Sequence, residues 1–225
     1  MMRTLAARAC LLVATILPAS AAAQAPAAEP TGIEVGARAG YGQVFGKRMT
    51  GEPFNQTIHS ELALIIDLGY RLTPNLYVGG LLSYARLDLD KHHLFCNTEV
   101  LDGFGDCSGS MIRIGLNVQL RMPIGDGYAG WMGAGLGVER MAIDFDGSFC
   151  GPFSRVDTGV ELGNVEAGAG MRVKGGLVIG PFASVALGMF RTSTTTGGCK
   201  GGGEIPDKTV HGTMMAGVRA MYALP

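Results

Sequence analysis

The chain has 225 residues, 18 basic and 19 acidic, for a formal net charge of −1. That balance excludes the basic footprint of a nucleic-acid binder, so no nucleic acid is expected as a partner. Glycine reaches 36 residues without a G-X-Y period, which excludes collagen. A hydrophobic share of 47% in strict alternation excludes a disordered glycine-rich chain.

Residues 1–23 read as a secretory signal peptide. Arg3 and Arg8 give the positive start, and the apolar run at 9–17 is too short to span a bilayer as a helix. Ala21, Ala22 and Ala23 supply the small-residue site, which predicts cleavage before Gln24. Cys10 sits too early behind Arg8 for a lipobox. Residues 24–31, QAPAAEPT, read as a short periplasmic linker, and 32–225 as one β domain.

Eight segments alternate with a period of two, which places successive side chains on opposite faces of a strand. The first, 33–45, turns Ile33, Val35, Ala37, Ala39 and Tyr41 outward and Glu34 and Arg38 inward. The second, 57–71, puts Ile58, Leu62, Leu64, Ile66, Leu68 and Tyr70 on one face against His59, Glu61, Asp67 and Arg71. The third is 76–88, and the fourth, 110–122, sets Ile112 to Met122 against Arg113, Asn117, Gln119 and Arg121. The fifth, 128–143, has an inner face of Trp131, three glycines and Glu139, so an inward indole over small residues is expected. The sixth, 159–174, changes parity, which predicts a bulge near Gly163. The seventh, 177–191, carries Pro181, which predicts a bulge or irregularity there. The eighth, 209–223, sets Met214, Val218 and Tyr222 outward and Thr213, Gly217 and Arg219 inward.

These runs are about twice the usual length of a soluble strand and match what a tilted strand needs to cross a bilayer. One face suits lipid and the other a polar lumen, the pattern of a transmembrane β-barrel. The connections alternate: the 2–3, 4–5 and 6–7 links are short turns, and the rest are long and polar. Short periplasmic turns and long outer loops follow from that asymmetry, with both termini in the periplasm. A soluble lipocalin-like binder would leave Leu62, Leu64, Ile66 and Leu68 facing water, a patch that soluble monomers avoid.

Cys96, Cys107, Cys150 and Cys199 all fall in the long loops, on one side of the barrel. Export favours disulfides, and three connectivities are open. Cys96–Cys107 with Cys150–Cys199 is favoured, since neither bridge crosses the barrel mouth. Metal binding with His92 and His93 lacks a CxxC spacing.

The segments ELALIIDLGYRL, SMIRIGLNVQLRM and GTMMAGVRAMYAL make residues 32–225 resemble the small eight-stranded outer-membrane barrels, such as the transmembrane domain of OmpA and OmpX. The resemblance implies an all-β, eight-stranded antiparallel up-and-down barrel in a bacterial outer membrane. Outer-membrane lipid and the barrel insertion machinery are the implied partners. Such chains often end in an aromatic residue, whereas this one ends Tyr222, Ala223, Leu224, Pro225.

Inward acids and bases are nearly matched: Glu34, Glu61, Asp67, Glu139 and Glu166 face Arg38, Arg113, Arg121, Arg172 and Arg219. In so narrow a lumen they are expected to pair as a structural network; a narrow ion path is the alternative. His59 and His211 are expected to face inward near the outer mouth, where a metal could bind with Glu61. Some barrels of this size are lipid A enzymes, but His59 and Ser60 point to opposite faces and cannot form a dyad. The glycine runs at 197–198 and 201–203 lack the GK[ST] and following helix of a phosphate loop. The chain therefore reads as a non-enzymatic outer-membrane barrel without cofactor. Disulfide-stapled outer loops would serve surface interaction or envelope integrity.

Overall fold

Alternation of apolar and polar residues builds eight long antiparallel strands in a computed structural model that describes residues 31–90, 107–125, 127–146, 151–173, 176–198 and 200–224. They are β1 (Gly32–Met49), β2 (Ile58–Thr73), β3 (Leu76–Leu89), β4 (Cys107–Gly125), β5 (Tyr128–Phe145), β6 (Phe153–Arg172), β7 (Leu177–Gly197) and β8 (His211–Ala223). Each long strand pairs with its neighbours in sequence, and β8 pairs with both β7 and β1, which closes the barrel. A short strand, Glu52–Pro53, and one helical turn, Phe54–Thr57, lie in the first long connection, and a further short strand, Gly201–Glu204, lies in the last. The leader and most of the linker expected at 1–31 lie outside the described residues.

The register fixes the tilt. From Glu34, cross-strand partners run through Gly69, Gly79, Asn117, Gly135, Asn164, Ala186 and Thr213 and return to β1 at Val44. One circuit thus ends ten residues up the starting strand. With ordinary strand rise and spacing, that stagger gives a tilt of about 40°.

The outer wall is apolar. Leu62, Leu64, Ile66, Leu68, Leu116, Leu136 and Val138 are all exposed, Leu62 by 64%. Tyr70, Tyr128 and Tyr222 ring the short-turn end, and Tyr41 and Tyr84 lie further along, as aromatic girdles do. Two short turns use Gly127 (φ 81°) and Gly176 (φ 85°), left-handed positions where a side chain would be strained. In the third, the N–H groups of Asn75 and Leu76 donate to Thr73 Oγ1 at 3.3 and 3.1 Å.

Irregularities are present at both expected places, and the β6–β7 register also shifts between Thr158 and Gly159. The β6 register shifts between Glu161 and Gly163, so Glu161 and Glu166 both reach the lumen despite opposite parity. At Pro181 the ladder to β6 lapses between Phe182 and Ile179 and resumes without a shift. A proline has no N–H for the ladder, so the irregularity is a gap and not a bulge. A further bulge at Ile58–Ser60 overturns two expectations. Ile58 is wholly buried instead of facing lipid, and His59 is exposed instead of facing the lumen.

Candidate functional site

The inner wall stacks charged layers along the axis. At the short-turn end, Glu34 of β1 receives Arg71 and Arg121. Arg71 Nε donates to Glu34 Oε1 at 2.7 Å and Arg121 Nη1 donates at 2.9 Å. The Arg121 guanidinium lies over the Tyr77 ring, 5.3 Å from its centroid. Alternation forces these side chains inward, and burial then requires that each charge find a partner.

One layer further in, Arg38 Nε donates to Asp67 Oδ2 at 2.7 Å and the same guanidinium also binds Glu166. Gln119 links this layer across the lumen. Its Nε2 donates to Glu166 Oε1 and its Oε1 accepts from Arg219 Nη2, both at 2.8 Å. Arg219 lies 4.9 Å from the centroid of the Trp131 indole. The indole faces inward as expected and lies over Gly168, where a Cβ would come within 2.3 Å of its ring.

Towards the long loops, Arg113 donates to Glu61 (3.0 Å) and to Thr213 Oγ1 (2.9 Å) and lies 3.9 Å from Glu139. His211 Nε2 is 2.8 Å from Glu139 Oε1. Asn164 donates to Glu161, and Arg48 Nη1 donates to Asp157 Oδ2 at 2.9 Å. Beyond the His211–Glu139 pair the lumen turns apolar, with the buried Arg48–Asp157 pair at the level of Met141 among the apolar side chains. Phe54 of the helical turn folds inward and is buried with Ile58, Phe190 and Ile205. The Phe190 and His211 rings stack at 4.2 Å, and Phe54 lies 4.9 Å from His211. Met111, Met141, Ile143 and Leu87 complete this collar.

Cavities interrupt the filling among the described residues. A small one of about 40 Å³, lined by Ser83, Arg113, Glu161, Asn164, Glu166 and Thr213, has room for a water. A vestibule of about 460 Å³ opens at the short-turn end.

Of the residues expected in the lumen, Glu34, Arg38, Glu61, Asp67, Arg113, Arg121, Glu139, Glu166 and Arg219 meet one another in these layers. Arg172 instead lines the vestibule, exposed at its rim. His59 and His211 do not converge: His59 pairs with Asp90 on the outside at 3.3 Å. Among the described residues no three acidic, histidine or cysteine side chains form a metal-binding group. Cys107 is disulfide-bonded, whereas Cys96, Cys150, Cys199 and the His92, His93 pair lie outside the described residues.

The expected network left out Arg48, Arg71, Gln119, Asp157 and Glu161. The signal is there for four of them. Arg71 and Gln119 sit on the polar face of their runs, Glu161 precedes the parity change, and Asp157 shares parity with Gly159, where the sixth alternating run begins. Phe54 gives no such signal, because an apolar residue in a polar loop does not say which way the loop folds.

A closed antiparallel ring of eight strands, apolar outside and charged inside, defines a membrane-spanning β-barrel. The model of the outer membrane protein beta-barrel domain matches residues 9–220, so the chain belongs to that family and resides in the bacterial outer membrane. By sequence, no curated protein matches it. Among solved structures it is similar to the outer membrane protein AlkL in lipid bilayers (13% identity, TM-score 0.52, 92% of this chain and 98% of that one). It is also similar to a major outer membrane protein from Thermus thermophilus (14% identity, TM-score 0.51, 85% and 100%). A third is Neisserial surface protein A (16%, TM-score 0.49, 85% and 98%). At these identities the likeness concerns the fold alone.

Proposed function

We propose that this protein is a non-enzymatic outer-membrane anchor whose filled barrel holds its long outer loops for contact at the cell surface. The observation that carries this reading is the lumen. Its charged layers are paired across the axis, and the collar of Phe54, Ile58, Phe190 and Ile205 closes the end beneath the long loops. A hydrated ion would have to break both, at the cost of unpaired buried charges. In planar bilayers the purified protein is therefore expected to give no stable large conductance. Steady openings of the wild-type barrel would favour the ion path instead.

The loops are the variable part of such a scaffold. Their order rests, in this reading, on the bridges Cys96–Cys107 and Cys150–Cys199, both on the same side of the membrane. Non-reducing peptide mapping is expected to give those two cross-linked peptides and no free thiol. A peptide joining Cys107 to Cys150 would refute the pairing. Reduction is expected to leave the heat-modifiable barrel intact, because its hydrogen bonds close without the loops. Lipid and, during biogenesis, the insertion machinery are the partners this reading requires; the surface ligand is set by loop chemistry.

A further inference from the structure

The geometry points to a binding site on the outer wall for a phosphomonoester lipid of the outer leaflet, held by Arg86 of β3 and Arg140 of β5. Both side chains are exposed on the lipid-facing side. Moving outward along each strand they are the first charged residues on that side, and the runs before them end in Tyr84 and Val138. The register sets their height. Tyr41 pairs with Leu62 and Leu62 with Arg86, while Tyr84 pairs with Ile112 and Ile112 with Arg140. Each step to the next strand climbs the tilted wall by about 3 Å, and each residue along a strand by about 2.5 Å. Tyr41 and Tyr84 therefore share one level. Both arginines stand about 5–6 Å beyond it, with about 12 Å between their Cα atoms. Tyrosines of such a girdle mark the membrane interface, so the arginines lie at headgroup depth.

The second observation is charge. Among the described residues neither guanidinium has an ion-pair or hydrogen-bond partner. The acids that follow on the same face of their strands, Asp88 and Asp144, stand two and four residues further out. A third arginine, Arg191 of β7, already acts on Glu204 and is left out of the site. A phosphomonoester carries about −1.5 to −2 charges at neutral pH, which two guanidinium groups match, and each can fork onto its oxygens. The β4 residues between the two arginines are Ser110 and Ile112, and a phosphate over them is within reach of both long side chains. Below, Leu62, Leu64, Leu82 and Ile114 are each more than half exposed and give acyl chains an apolar wall. Cations at headgroup depth over such a wall favour a lipid above a free phosphate. The site uses the lipid-facing wall alone and is independent of whether the lumen conducts.

Native mass spectrometry of the full-length barrel in a neutral detergent reads the first lipid adduct directly. Dioleoyl phosphatidic acid is expected to bind at least tenfold more tightly than dioleoyl phosphatidylcholine, whose headgroup charges cancel. Arg86→Gln and Arg140→Gln are each expected to weaken the phosphatidic acid adduct at least fivefold. The double variant is expected to bring it to the phosphatidylcholine level. Lys47→Gln removes an exposed charge elsewhere on the outer side and is expected to leave the adduct unchanged. All three positions are exposed, and heat-modifiable gel mobility verifies that each variant is folded. Equal binding of the two lipids, an equal loss in Lys47→Gln, or full binding in the double variant would overturn the site. Displacement of phosphatidic acid by equimolar inorganic phosphate would assign the arginines to a free solute and overturn the lipid.

Discussion

Replacing Glu34 with leucine is expected to lower the stability of the barrel by about 3–5 kcal/mol, the range seen when one partner of a buried pair is removed. Glu34 is 1% exposed and is the carboxylate shared by Arg71 and Arg121. Its loss takes from both guanidinium groups the buried carboxylate they share, and weakening the compensation of buried charge is the costly event. Glu34→Gln keeps the shape and one acceptor but loses the charge, so an intermediate loss is expected. Adding Arg71→Met and Arg121→Met to Glu34→Leu should restore much of the stability, since apolar fillers of similar volume replace a buried network at little cost. Urea titration of the folded barrel in lipid vesicles, followed through Trp131 emission, measures each variant. A loss below about 1 kcal/mol, as for an exposed ion pair, would show that water already screens this layer.

An arginine at Ile66 is expected to cost about 2–4 kcal/mol, and the same change at Leu72 only about 0–1 kcal/mol. Both side chains point outward, 43% and 51% exposed, but they differ in depth. Ile66 lies in mid-strand between the girdle positions, whereas Leu72 is one residue from the end of β2 and beyond Tyr70. Near the end an arginine reaches the headgroups with its stem still in apolar surroundings. The same urea titration decides the matter, and equal tolerance at the two positions would contradict a lipid-facing wall.

Strand number, topology and the lipid-facing parity were legible in the sequence because a period of two cannot be shifted by one residue without exchanging the faces. The bulge near Gly163 was legible for the same reason, since Val160 and Leu162 against Val165 and Ala167 mark a change of parity. What misled was a bulge without such a mark. At Ile58–Ser60 an apolar residue, a histidine and a serine in succession fit either parity, and there Ile58 and His59 exchanged their expected faces. Inward charges could be named one by one, but their partners could not. A ten-residue stagger brings together residues 128 apart in sequence, as in Arg38 with Glu166, and the stagger belongs to the closed ring and to no single strand. The collar was invisible because Phe54 lies in a connection, where burial depends on how the loop folds.

The first and last strands meet with Arg38 directly opposite Arg219, both pointing into the lumen. Two like charges in register oppose pairing, so this joint repels itself at its middle. The charge that quiets it comes from neither strand: Glu166 of β6 binds Arg38 and lies 4.0 Å from Arg219. It acts as a clasp thrown across the inside of the ring. Without Glu166 the joint between β1 and β8 would set two guanidinium groups face to face with Asp67 as the carboxylate beside them. The closure of the ring thus leans on a carboxylate carried by a strand that pairs with neither of the two it joins.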